Sequence, residues 1–273
     1  MILAYPRYLA LSRDTGSRKT MGHCKPPPGS LSQDPLSGGR MTELPIYVGW
    51  DSREPEAYDV CRHSLKRHAR KGCHVVPLVQ NDLRARGLYR RKVDPLASTE
   101  FTYTRFLVPH LVGYDGWAIF CDGDFLWTRD IGELYNLRDD RYAVMCVQHD
   151  YQPTEQTKMD GKIQTVYPRK NWSSLMLLNC AHPSTRRLTV DVVNEKSGAY
   201  LHRLQWATDN EIGALDRTWN WLEGWYPKPQ HGLPGAIHYT RGGPWFASWG
   251  HVDYADEWFH EHALTQIAAQ PER

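Results

Sequence analysis

Short apolar runs alternate with amphipathic stretches from residue 45 onward, and this alternation predicts a chain of strands and helices. PIYVGW at 45–50 reads as a buried strand. The following SREPEAYDVCRHSLKRHA reads as a helix start, with acids near its N-terminus and bases near its end, the order the peptide dipole favours. Further strands are predicted at 74–79, 117–121, 142–147 and 174–179, and helices at 101–111, 184–195 and 209–216. Strands alternating with helices imply an α/β domain around a mixed, mostly parallel sheet flanked by helices. No internal repeat and no compositional break occur between 42 and 262, so that span is expected to be one domain, followed by a C-terminal tail at 263–273.

The pattern is different before residue 42. Pro, Gly and Ser make up 11 of the 20 residues from 21 to 40, leaving almost nothing apolar to bury. Residues 1–41 are therefore expected to be a flexible extension or a misassigned start. The 273-residue chain carries 33 basic and 31 acidic residues for a net charge of +2, and residues 1–40 hold six of the bases and two of the acids. The remainder is slightly acidic, which argues against a nucleic-acid-binding protein. No apolar run approaches the roughly 20 residues of a membrane helix. Pro6 and Arg7 interrupt the only N-terminal apolar stretch, so no secretory signal is expected. The six cysteines form no C-x-x-C pair and read as buried free thiols, which together predict a cytoplasmic protein.

Two segments bring candidate chemistry. In WAIFCDGDFLW an apolar strand runs straight into Asp122-Gly123-Asp124. Residues two apart in an extended backbone project to the same side, so both carboxylates can face one point beyond the strand's C-terminal end, where α/β sheets place ligands. Paired carboxylates there call for a divalent cation, and hard oxygen ligands suit Mn²⁺ or Mg²⁺. A solvated Asp-Gly turn is the plain alternative. The second segment, AIHYTRGGPWF, places His238 on a short strand before Arg241, Gly242 and Gly243. A neutral imidazole is a good Mn²⁺ ligand, and the glycines would let backbone N–H groups approach phosphate oxygens.

With these residues in view, 46 to about 250 resembles a glycosyltransferase of the GT-A fold, most similar to glycosyltransferase family 8, which includes glycogenin and bacterial lipopolysaccharide hexosyltransferases. Four segments carry the resemblance in order: IYVGWDSREPEAY, TEFTYTRFLVPHL, FCDGDFLW and IHYTRGGPW. It implies a Rossmann-like nucleotide-diphospho-sugar transferase fold. It also implies transfer of a hexose from a nucleotide sugar, usually a UDP-sugar, with retention of configuration and Mn²⁺ as helper. Carried over by position, Asp122, Asp124 and His238 hold the metal, with Asp122 also reaching the ribose. Gly49 and Asp51 contact the uridine, and Arg105 contacts the donor. Arg105 has its own support: a 101–111 helix would be apolar on both sides, and a guanidinium buried there needs an anion. In QWATDNEIGAL, Asp209 would bind sugar hydroxyls and Asn210 would face the anomeric carbon, with Asp209 or Glu211 as candidate nucleophiles. The same letters also spell a helix N-cap.

Two departures stand out. The family's late motif carries a Lys where this chain has Gly243, and Arg241 is the substitute for that phosphate contact. The family's Asn-Ala-Gly aligns with Trp172-Ser173-Ser174, with Asn171 one place away. Seven tryptophans between 206 and 258 predict one or two stacking on a saccharide acceptor, the rest packing. Acceptor identity is open among saccharide, lipid-linked and protein classes. The ten bases within 62–71 and 84–92 offer a peripheral contact with anionic membrane, or simply a solvated helix face. The rival functions are a haloacid dehalogenase-type phosphatase, disfavoured by Leu126 and by the motif's late position, and a non-catalytic nucleotide-sugar-binding protein.

Overall fold

The computed structural model describes residues 44–94, 97–150 and 168–268. The extension expected at 1–41 lies outside them, as does Cys24. The elements are β1 Pro45–Gly49, α1 Pro55–His68, β2 His74–Leu78, α2 Gln80–Ala85, α3 Val108–Leu111, β3 Trp117–Cys121, β4 Phe125–Trp127, α4 Ile131–Tyr135, β5 Val144–Cys146, β6 Leu175–Asn179, α5 Val190–Glu195, α6 Gly198–His202, β7 Ile212–Ala214, β8 Trp221–Leu222, β9 Ala236–His238 and α7 Ala255–Ala268. Helix α7 continues past 262.

A six-stranded sheet has the order β2-β1-β3-β6-β5-β7, and a second sheet has the order β4-β9-β8. In the large sheet only β6 runs against its neighbours, so the sheet is mixed and mostly parallel. Its central strands are buried on both faces. Ile46, Val48, Ile119, Cys121, Leu175 and Leu177 pack into one cluster, while Tyr47, Phe120, Met176 and Leu178 pack into the cluster on the other side. That two-sided burial is why the strands read as continuous apolar runs rather than as alternation. The five cysteines among the described residues are free and buried.

Helix α1 follows its sequence signals. Proline stands in its first turn with Glu56, and Lys66, Arg67 and His68 close its last turn. Three expected helices are corrected. The 101–111 segment is a 3-10 turn, Thr104–Leu107, followed by the short α3. Pro109 has no N–H to give and its ring would clash with the carbonyl four residues earlier, so one helix cannot run through. The 184–195 segment breaks at Leu188, after which Thr189 caps α5. The 209–216 segment is a 3-10 turn, Asp209–Glu211, leading into strand β7, which pairs in parallel with β5. Ile212 gains more by joining the sheet edge than by helix propensity, which is a weak term.

Candidate active site

Parallel strands β1 and β3 end side by side, and β6 runs antiparallel to β3 with Cys121 opposite Leu175. The residues just after β3 and just before β6 therefore meet at one edge of the sheet, where Asp122 N–H donates to the Ser174 carbonyl at 2.8 Å. The approach is close. A Cβ on Gly123 would lie 2.4 Å from the Gly49 carbonyl oxygen, so the middle position of Asp-Gly-Asp admits only glycine.

Strand β4 leaves this corner and pairs antiparallel with β9, with Phe125 opposite His238. This register delivers the histidine to the carboxylates. Single ligand atoms of Asp122, Asp124 and His238 all lie within 4.8 Å of one another, and His238 Nε2 is 3.3 Å from Asp124 Oδ1. His238 is buried, and its ring stacks on Phe125 with centroids 4.4 Å apart. Its Nδ1 lies 3.0 Å from Asn220 Oδ1, and Asn220 Nδ2 donates to Ser174 Oγ at 2.9 Å. With the amide so oriented, Nδ1 carries the proton and Nε2 keeps a lone pair facing the carboxylates. Two carboxylates and a correctly tautomerised imidazole suit Mn²⁺ or Mg²⁺. Sequence reasoning missed Asn220, which sits alone in a Trp-rich stretch and belongs to no motif.

Arg105 is buried as expected, although on a 3-10 turn rather than the helix that suggested it, and the anion it meets is Asp122, with Nη1 2.7 Å from Oδ1. Nη1 also donates to the Ser173 carbonyl at 2.9 Å. Arg105 thus positions Asp122. Asp122 follows the third strand of the chain and is ion-paired, an arrangement unlike the first-strand nucleophile of a haloacid dehalogenase-type phosphatase.

Two cavities meet at Asp124. The smaller cleft is lined by Gly49, Asp51, Tyr58, Asp124, Arg241 and Gly242 among others. The larger, of about 390 Å³, is lined by Arg105, Asp122, Asp124, Lys170, Asn171 and His238 among others. The fold therefore brings eight of the ten expected site residues to one connected place. Several of them also have partners within the protein. Gly49 makes room for the Phe101 ring, which a Cβ would strike at 2.5 Å. Asp51 accepts from the Arg53 side chain and backbone N–H and from Glu100 N–H. Burial alone would raise its carboxyl, but these hydrogen bonds and the Arg53 charge outweigh it and hold it below the ordinary aspartate value. Gly242 has φ 107°, and its N–H donates to the Tyr239 carbonyl at 2.7 Å, so this amide is not directed at a phosphate. Gly243 accommodates the Trp245 ring, which a Cβ would strike at 2.2 Å. Arg241 lies against Gly224 and pairs with buried Glu223 at 3.2 Å.

Asp209 and Asn210 are not brought to the cluster. Both are exposed, neither lines either cavity, and the Asp209 side chain, 85% exposed, pairs with Arg169 at 2.6 Å. Thr208 and Glu211 form a complete capping box, and Glu211 also accepts from Ser184 Oγ. The helix-cap alternative explains this stretch. Of the seven tryptophans, none lines either cavity, and Trp206, Trp219, Trp221 and Trp258 pack in the core as most of them were expected to. Of the basic stretches, Arg67, Arg70 and Arg90 pair with Glu261, Glu133 and Asp191. No helix among the described residues is long and apolar enough to cross a membrane.

Comparison with known proteins places the chain in a family and identifies its fold. The chain is 50% identical over 238 residues to Protein CDI of Arabidopsis thaliana, covering 85% of this chain and 92% of that one. The chain belongs to the CDI family. No protein-family model matches it. Among solved structures, the glycosyltransferase GlyE of Streptococcus pneumoniae TIGR4 is similar, with TM-score 0.56 and 14% identity over 83% of this chain and 63% of that one. Less than two thirds of GlyE is thus spanned. The galactosyltransferase LgtC, solved with donor and acceptor sugar analogues, gives TM-score 0.50 and 12% identity over 84% of this chain and 98% of that one. Identities this low establish the fold, so this CDI-family chain has a GT-A-type glycosyltransferase fold.

Proposed function

We propose that the chain is a metal-dependent glycosyltransferase that moves a hexose from a nucleotide sugar, UDP-glucose or UDP-galactose, to an acceptor hydroxyl with retention of configuration. The observation that carries this reading is the Asp122, Asp124 and His238 cluster at the junction of two cavities. In this reading the nucleoside occupies the smaller cleft, and the sugar and acceptor occupy the larger. Asp122, Asp124 and His238 hold Mn²⁺ or Mg²⁺, which when bound supplies positive charge to the departing diphosphate. Arg241, tethered by Glu223 at the cleft wall, adds a guanidinium toward the same charge. Arg105 pairs with Asp122 and aims it.

Asp94, Asp122 and Asp124 are the carboxylates on the larger cavity's wall among the described residues, and Asp94 accepts from the Tyr103 hydroxyl at 2.5 Å. With Asp122 and Asp124 committed to the metal, we favour attack by the acceptor hydroxyl on the face the diphosphate leaves over a covalent glycosyl intermediate. The acceptor oxygen forms the new glycosidic bond, the bond to the β-phosphate oxygen breaks, and the hydroxyl proton passes to that departing oxygen.

The test is UDP release from UDP-glucose, UDP-galactose and their N-acetyl forms, with Mn²⁺ or with chelator. We expect release only with metal, and Asp124→Asn should lower it by about 100-fold or more. Inactivity with every donor overturns the enzyme reading, and undiminished activity in chelator overturns the metal assignment. UDP binding without release would leave a nucleotide-sugar-binding protein.

A further inference from the structure

One wall of the larger cavity is built from hydrogen-bond donors. Lys170, 5% exposed, Asn171 and Arg203 all line it. Arg169 Nη1 donates to the Arg203 carbonyl at 2.9 Å, so the segment carrying Lys170 and Asn171 is stapled to the segment carrying Arg203. The acceptor atoms of Asn171 are already used: its carbonyl accepts from Ser174 Oγ at 2.6 Å and its Oδ1 from Thr240 Oγ1 at 3.3 Å. What remains is Asn171 Nδ2, buried without a hydrogen-bond partner, and Arg203 Nε is in the same condition. The neighbouring arginines are matched to carboxylates: Arg105 to Asp122, Arg169 to Asp209 and Arg241 to Glu223. Arg203 has no ion pair among the described residues.

Buried donors without partners are costly and are rarely left so. A sugar hydroxyl both donates and accepts, and is best met by a mixture of groups. A guanidinium and an amide NH₂ offer donors only, which matches an oxyanion that only accepts. Under the nucleotide-sugar reading, on which this step rests, the diphosphate is already met by the metal cluster and Arg241. The donor wall is then left to the sugar side of the cavity.

We infer that Arg203 and Asn171 form a subsite for an oxyanion carried by the sugar in the larger cavity, a carboxylate or a phosphate ester on the donor hexose or on the acceptor. The subsite would make the protein selective for an acidic sugar over its neutral counterpart.

Calorimetric titration with Mn²⁺ present tests this without requiring turnover. The donor arm compares UDP, UDP-glucose and UDP-glucuronate. The acceptor arm compares glucose, glucuronate and glucose 6-phosphate on UDP-saturated protein. We expect an acidic ligand in one arm to bind about 10- to 100-fold tighter than its neutral counterpart, the scale of a charge-assisted hydrogen bond. Arg203→Met should erase that preference while leaving UDP affinity within about twofold. Asn171→Asp, which puts a carboxylate in the wall and suits the left-handed backbone at this position (φ 65°), should erase it too. The inference is overturned if UDP binds but no acidic ligand is preferred in either arm. It is equally overturned if Arg203→Met weakens UDP as much as the acidic ligand, because the guanidinium then serves the diphosphate. Absence of UDP binding by the unmodified protein overturns the nucleotide-sugar reading itself, and this inference with it.

Discussion

Asn220 offers a direct test of how the metal cluster is built. It is fully buried and joins two partners, accepting from His238 Nδ1 at 3.0 Å and donating to Ser174 Oγ at 2.9 Å. In Asn220→Ala the imidazole proton is no longer tied to Nδ1. It becomes free to sit on Nε2, where it would point at Asp124 Oδ1, 3.3 Å away, and block the lone pair a metal needs. Removing a partner that fixes a ligating histidine costs about 10- to 100-fold in metal affinity. His238 Nδ1 and Ser174 Oγ, both left without the buried amide they met, cost a further 1–3 kcal/mol or so of stability. Asn220→Asp keeps an acceptor for Nδ1 and completes a carboxylate-histidine arrangement, so it should retain Mn²⁺ affinity within about threefold although it too loses stability. Mn²⁺ affinity is read from the free-ion EPR signal during titration, and stability from thermal melts in chelator. If the alanine variant melts earlier yet binds Mn²⁺ within about threefold of the unmodified protein, the reasoning is refuted, and the stacking on Phe125 alone orients the ring.

Arg105→Met leaves Asp122 without its buried ion pair and should cost about 3 kcal/mol, or roughly 6–12 °C in Tm, part of it recovered by saturating Mn²⁺; a Tm within about 2 °C of the unmodified protein would refute the pairing's importance. Thr208→Ala should cost about 1 kcal/mol in a urea melt through loss of the capping box. Asp209→Ala and Asn210→Ala should leave UDP release nearly unchanged, and a loss of about 100-fold in either would return that residue to the reacting centre. Burial, with the nearby His238, pushes the imidazole of His149 down to about 3. His202 is also pushed down to about 3, by burial and then by the Arg105 charge. Each is neutral when folded and takes up a proton on unfolding below about pH 6.5, so their contribution is complete above that pH and lost as pH falls toward 3. The His149 share should be about 2 kcal/mol by pH 5, with His202 acting in the same direction. Equal urea stability at pH 7 and pH 5 would contradict this.

The sequence by itself determined the α/β class, the positions of the first strands, and the candidate metal ligands. These rest on local physics: apolar runs long enough for a strand, a proline and acids at a helix start, and two carboxylates two residues apart after a strand. Arg105 was legible as a buried cation needing an anion, though not which anion. What the tertiary structure decided depends on partners distant in sequence. The β4–β9 register puts His238 beside Asp124, and no pattern near either residue encodes that pairing. Asn220 matters only because β8 and β9 are adjacent, so that its amide reaches across to His238 and Ser174. Asp209 and Asn210 look the same as letters whether they cap a turn or hold a sugar, and the pairing of β7 with β5 turns that stretch outward. The glycines divide in the same way. In Gly-Gly-Pro-Trp they suggest phosphate contacts, but the Trp245 ring occupies the space beside Gly243, and the need for glycine at 123 comes from the distant Gly49 carbonyl. Residue types set which chemistry was available, and the packing of non-local strands chose which groups face one another.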